Sequence, residues 1–134
     1  MRILRGMLLT LFMTSCSGQN YNPEARIEIR ASVEDRPKVI NALKSFGQRN
    51  QFEVITSDGM PNQGRFVSQV LLKRADGVMI TMDNFAKPDV FETFFYAKES
   101  DVDWESVKDA WLREISSQVG HRGDVVEVPV GPIR

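Results

Sequence analysis

Alternation of polar and apolar residues along this chain predicts most of its strands, and a spacing of three to four predicts its helices. Residues 26–31 alternate with a period of two, which is typical of a strand with one face in water. The turn-forming residues Ala75-Asp76-Gly77 separate two further strands of this kind and predict a hairpin. The predicted strands are 26–31, 52–56, 66–73, 78–83, 90–97 and 125–128.

Two segments carry the helical spacing. The first is predicted over 34–48, where its apolar residues fall on one face and Gly47 to Asn50 end it. The second follows Asp101 and Asp103, which favour the positive N-terminal end of a helix, and closes at Gly120. The apolar positions are Val39, Ile40, Leu43 and Phe46 in the first helix, and Trp104, Val107, Trp111, Ile115 and Val119 in the second.

The order β-α-β-β-β-β-α-β predicts an α+β fold. Strands joined by short turns form a mainly antiparallel sheet, and two amphipathic helices must cover one of its faces. The expected architecture is a two-layer sandwich, similar to a ferredoxin-like arrangement with an added central hairpin. A resemblance at this level implies no activity.

The N-terminal segment has the pattern of an export signal. Arg2 and Arg5 precede an apolar run, and the run ends in small residues just before Cys16. Met13-Thr14-Ser15-Cys16 resembles the lipobox of bacterial lipoproteins. The resemblance implies removal of residues 1–15 and lipid attachment at Cys16.

The rest of the chain divides accordingly. Residues 16–24 are mostly polar and aperiodic and are predicted to form a tether, which the resemblance implies is lipidated. Residues 25–130 are predicted to form a single domain and residues 131–134 a tail. The lipoprotein resemblance implies a chain anchored in the bacterial cell envelope and facing the periplasm. Ser17, where an Asp would favour inner-membrane retention, indicates the outer membrane rather than the inner. An ordinary secretory leader is the alternative.

Charge and composition exclude several classes of partner. Without residues 1–15 the chain keeps 15 basic and 18 acidic side chains, and no block of like charge stands out. This mild acidity gives no electrostatic footprint for nucleic acid and no basic patch for anionic lipid. Cys16 is the only cysteine, so the domain has no internal disulfide.

Few residues indicate catalysis. His121 is the only histidine and lies just past a helix end, where capping or surface exposure accounts for it. One histidine and no second cysteine do not make a usual zinc site, and no phosphate-binding glycine loop occurs, so no cofactor is expected. The acids Glu53, Asp83 and Glu92 lie on strands, but the sequence does not fix the register that would pair them.

The sequence offers two candidate contact surfaces. A sheet with helices on one face leaves the other face open, and large exposed apolar patches mark interaction sites. Either Phe94 and Tyr96 or Phe91 and Phe95 would lie there, unless a loop or a second copy covers them. The other surface is the turn-rich segment 57–64, predicted to be a loop. Its candidate contact residues are Asp58, Met60 and Asn62.

These observations favour a non-enzymatic binding module that engages another envelope protein. It would be an accessory subunit of an envelope complex or an immunity-type inhibitor. The alternatives are a small hydrolase acting on cell wall or lipid through its carboxylates, and a carrier of a small apolar ligand between sheet and helices.

Overall fold

The computed structural model describes residues 22–62, 65–99, 102–119 and 124–130. All eight predicted elements are present in the predicted order. They are β1 (Ala25–Arg30), α1 (Arg36–Arg49), β2 (Glu53–Asn62), β3 (Arg65–Lys73), β4 (Val78–Lys87), β5 (Val90–Ala97), α2 (Glu105–Val119) and β6 (Val125–Val128).

The strands form one open antiparallel sheet in the order β2-β3-β4-β5-β1-β6. Both helices lie against one face of it, because their apolar stripes supply buried core residues together with alternate residues of the strands. The prediction of an α+β two-layer sandwich is therefore confirmed. Neither helix is both long and apolar enough to cross a bilayer.

Large side chains fill the layer between the helices and the sheet. Trp111 of α2 is fully buried and its ring centroid lies 5.5 Å from that of Phe46 on α1. Phe91 and Phe95 of β5 are also fully buried beneath the helices. Arg49 of α1 forms an ion pair with Glu114 of α2 across the outer surface. Aromatic burial of this size is the main stabilising contribution of such a core.

The helix starts are stabilised in different ways. The Asp103 side chain accepts a hydrogen bond from the Ser106 backbone N–H at 3.2 Å and caps α2 as the sequence indicates. Asp35 occupies the N-cap position of α1 but its side chain makes no capping hydrogen bond, while Pro37 lies in the first turn. Asp101 and Gly120 lie outside the described residues.

Of the segment 57–64, residues 57–62 are not the loop that their composition predicts, and residues 63 and 64 lie outside the described residues. The backbone continues as β2 to Asn62 and pairs with β3, and the pairing register shifts between Ser57 and Met60. An irregularity of this kind absorbs an extra residue without ending the ladder, so turn-forming residues are tolerated inside the strand. Similarly, β4 continues past Asp83 to Lys87 through a second register shift.

Both edges of the sheet are poor templates for another strand. The edge strand β6 has 4 residues and is followed by Pro129. The opposite edge strand, β2, contains the register shift and Pro61, which has no N–H to donate. Short strands, bulges and proline are the usual means by which natural sheets avoid edge pairing.

Candidate functional site

The face of the sheet opposite the helices is the candidate functional site of this domain, because apolar and acidic side chains are grouped on it. Residues paired directly across neighbouring antiparallel strands point to the same side, so the register arranges the open face in transverse rows. One of these, the central row, crosses all six strands. It consists of Ile55, Leu71, Thr81, Phe94, Arg26 and Val128.

The central row is mainly apolar and accessible to solvent. Ile55 is 42% exposed, and Leu71 and Phe94 are half-buried although neither of the two described helices lies on this face. Phe94 also lies beside Tyr96 of the same strand, with ring centroids 6.4 Å apart. Half-buried apolar side chains aligned on an uncovered face form the kind of patch that marks an interaction surface.

The adjacent transverse row carries three carboxylates on neighbouring strands. Asp83 lies directly opposite Glu92, and Glu92 lies directly opposite Glu28. We call these three residues the acidic row. Arg26 is near two of them: its Nη1 lies 3.9 Å from Glu92 Oε2 and its Nη2 lies 3.6 Å from Glu28 Oε1. The Arg26 guanidinium therefore contacts two of the three acids and leaves Asp83 without its charge. Like charges placed directly opposite each other, as in Asp83 and Glu92, destabilise a sheet.

The Asp83 carboxyl of the acidic row is half-buried. Burial raises the pKa of its carboxyl above the usual value, and the hydrogen bond that Oδ1 accepts from the Phe85 backbone N–H at 3.1 Å opposes this only in part. No cationic side chain among the described residues forms an ion pair with Asp83. The carboxyl is therefore partly removed from water, and no described cationic side chain forms an ion pair that would compensate its charge.

The structure decides between the two aromatic alternatives. Phe94 and Tyr96 lie on the open face, whereas Phe91 and Phe95 are 0% exposed beneath the helices. The prediction of Phe91 and Phe95 as contact residues is therefore wrong, because successive residues of a strand point to opposite faces and this pair belongs to the core.

Other candidate residues are placed less fully. Asp58, Met60 and Asn62 have their backbone in the edge strand β2 rather than in a loop, and their side chains lie outside the described part of the chain. Cys16 and His121 also lie outside the described residues.

A separate cavity of about 270 Å³ opens at the end of the β3–β4 hairpin, with Lys73, Arg74 and Lys98 in its lining. The Arg74 guanidinium donates to both carboxylate oxygens of Asp76, at 3.0 and 2.7 Å, and these hydrogen bonds hold the pKa of Asp76 below its ordinary value. Arg74 also stacks over the Phe52 ring at 5.0 Å. These contacts anchor the turn of the hairpin.

Metal binding has no support in the described part of the chain, where no group of three or more His, Cys, Asp or Glu side chains could hold an ion. The three acids of the acidic row are thus neighbours in register without forming a coordination site. What the open face offers instead is an apolar strip beside surplus negative charge, an arrangement suited to molecular recognition.

Sequence reasoning missed the acidic row because it could not fix the strand register. The short turn Ala75-Asp76-Gly77 carries part of that information, since a tight hairpin sets the pairing that brings Asp83 opposite Gln69. Pairing of Asp83 with Glu92 is harder to derive, because the register shift beyond Asp83 breaks the count from the next turn. Glu28 joins the row only through the non-local contact of β1 with β5.

Fold and site together define a small α+β sandwich with an uncovered, amphipathic sheet face. No protein-family model matches this sequence, and the search of curated proteins gave no match either. The functional argument therefore depends on the chemistry of the open face and on the lipobox resemblance.

Proposed function

We propose that this protein is a non-enzymatic protein-binding module of the bacterial cell envelope that engages another envelope protein through the open face of its sheet. The observation that carries the proposal is the central row, whose half-buried apolar side chains lie uncovered beside an acidic row. Both an accessory subunit of an envelope complex and an immunity-type inhibitor fit this mode of binding.

Lipid attachment at Cys16 supplies the location in this proposal, with the outer membrane favoured by Ser17. Strand β1 begins at Ala25, so only eight residues separate it from the modified cysteine. Eight residues span at most about 28 Å, even when they are fully extended. The domain would therefore remain next to the membrane, and its partner must approach that surface.

Site-specific photo-crosslinking in cells tests the proposal. A photoreactive amino acid replaces Thr81, at the centre of the open face, or Ser116, an exposed residue of α2 on the opposite side. We expect one discrete crosslinked envelope protein from position 81 and none from position 116. A Phe94→Glu change in the same chain should abolish the product, because it places a charge in the apolar contact. Equal crosslinking from both positions would contradict the proposal.

The hydrolase alternative depends on the pairing of Asp83 with Glu92, since paired carboxylates can act as general acid and base. Both acids lie on the face of the sheet that the binding proposal uses, so loss of phenotype on substitution does not separate the two functions. A direct assay of hydrolysis does separate them, and we expect the purified protein to leave peptidoglycan and phospholipid unchanged. Hydrolysis that Asp83→Asn abolishes would favour the enzyme.

A further inference from the structure

The occupant of the open face can be described by its chemistry, on the basis of the proposed function. We propose that the partner presents a cationic amphipathic helix that lies across the strands, with its apolar side on the central row and its Lys or Arg side chains on the acidic row. Three features of the face lead to this description.

The first feature is the charge that the fold leaves unbalanced. The acidic row holds Asp83, Glu92 and Glu28. In the described part of the chain Arg26 forms ion pairs with Glu28 and Glu92, and Arg30 lines the same cavity as Glu28. The two distances from Arg26 are 3.6 and 3.9 Å, so its single charge is shared between Glu28 and Glu92. No cationic side chain in the described part of the chain forms an ion pair with Asp83, so a cation of the partner could compensate its charge there.

The second feature is the separation of apolar and acidic groups. The two rows are two residues apart along each strand, which corresponds to roughly 7 Å. A helix is about 10 Å across and carries side chains on both flanks of its apolar stripe. Its apolar stripe can therefore cover Leu71 and Phe94 while one flank reaches Asp83 and Glu92. An extended strand has no comparable flank.

The third feature is the match of repeats in the direction of the rows. Neighbouring strands are about 4.8 Å apart, and successive turns of an α-helix are about 5.4 Å apart. A helix laid across the strands thus offers nearly one turn to each strand. The six strands span about 24 Å, which a helix of about 18 residues covers. Strand addition is disfavoured, because β2 contains a register shift and β6 has 4 residues.

A peptide titration tests the partner's chemistry. The probe is a fluorescent synthetic helix of about 18 residues with a leucine stripe and lysines along one flank, and its counterpart carries glutamates instead. Binding is followed by fluorescence anisotropy with the full chain carrying Cys16→Ala, which removes any acyl group that would attract an amphipathic peptide. We expect the lysine peptide to bind and its affinity to fall as the salt concentration is raised. We expect the glutamate peptide not to bind.

Matched variants locate the contact. Asp83→Asn and Glu92→Gln should each lower the affinity for the lysine peptide by about tenfold, which is the effect of losing one charge contact across an interface. Phe94→Ala should lower this affinity as well, because it removes an apolar side chain from the central row. Glu34→Gln removes the same charge from an exposed turn before α1 and should leave affinity unchanged. A thermal melt of each variant verifies that it is folded.

Two results would overturn this inference. Equal binding of the two peptides would mean that the face recognises apolar surface without regard to charge. Equal weakening by Glu34→Gln and Asp83→Asn would mean that only net charge matters. Neither result affects the crosslinking experiment at Thr81, so failure of the helix proposal remains distinguishable from failure of the proposed function.

Discussion

At the scale of single residues, the fold places the Asp83 carboxyl where ionisation is less favourable than in water. This carboxyl is half-buried, lies opposite Glu92 and has a raised pKa because of burial. A group whose pKa is higher in the folded than in the unfolded chain binds its proton more tightly when folded. Its contribution to stability is therefore largest at low pH and is lost as the pH rises through the folded pKa.

The raised pKa of Asp83 in the folded chain leads to a prediction for the variant Asp83→Asn. The variant should be more stable than the wild type at neutral pH, by a few tenths to about 1 kcal/mol in free energy of unfolding, the range for a cross-strand pair. The difference should shrink as the pH falls through the raised pKa of the folded state, and it should vanish below about 3.9, the ordinary pKa of Asp, where the carboxyl is protonated in both states. Urea unfolding at several pH values measures it. A gain that grows toward low pH would show that the assignment is wrong.

At the scale of elements, local patterns were sufficient to predict all eight elements and the layer arrangement, but not the details that depend on pairing. Gly59 and its turn-forming neighbours predict a loop on composition, yet pairing with β3 keeps the segment in β2. The sequence predicts that α1 ends around Gly47 to Asn50, and the helix ends at Arg49 with Asn50 as its C-cap. The structure adds that Gly47 marks a close approach, because a Cβ there would come within 2.7 Å of Leu72 Cδ2 and 3.1 Å of Val54 Cγ2.

The close approach makes Gly47→Ala a test of packing against helix propensity. Alanine favours a helix interior by about 1 kcal/mol over glycine. Leu72 is fully buried, however, so it cannot move aside without disturbing the core. Overpacking of this kind destabilises by about 1–3 kcal/mol, so the variant should lose stability on balance. Thermal or urea unfolding measures the change.

The adjacent residue provides the control. Gln48 is exposed on the same helix, so Gln48→Ala changes propensity slightly and packing not at all. Its free energy of unfolding should stay within about 0.5 kcal/mol of the wild type. A Gly47→Ala variant that is more stable than both would mean that α1 can shift away from β3, and that the glycine serves no packing purpose.

At the scale of the whole molecule, the proposed location depends on one thiol. We expect a fatty-acid analogue fed to cells to label the wild-type chain and not a Cys16→Ala variant. The variant should also leave the membrane fraction, since stable attachment requires the acyl chains. Detection is by gel fluorescence and fractionation. An unlabelled wild-type product would remove both the anchor and the argument for a membrane-adjacent partner.

The two edge strands, which are poor templates for strand pairing, have a consequence for copies of this protein that lie close together on one surface. An open sheet with two long, regular borders would allow one molecule to extend the hydrogen-bond ladder of the next, which is how fibrils propagate. Here a 4-residue strand ends one border, and a register shift with Pro61 interrupts the other. Crowded neighbours can therefore remain separate molecules at densities that would lead a continuous border to polymerise.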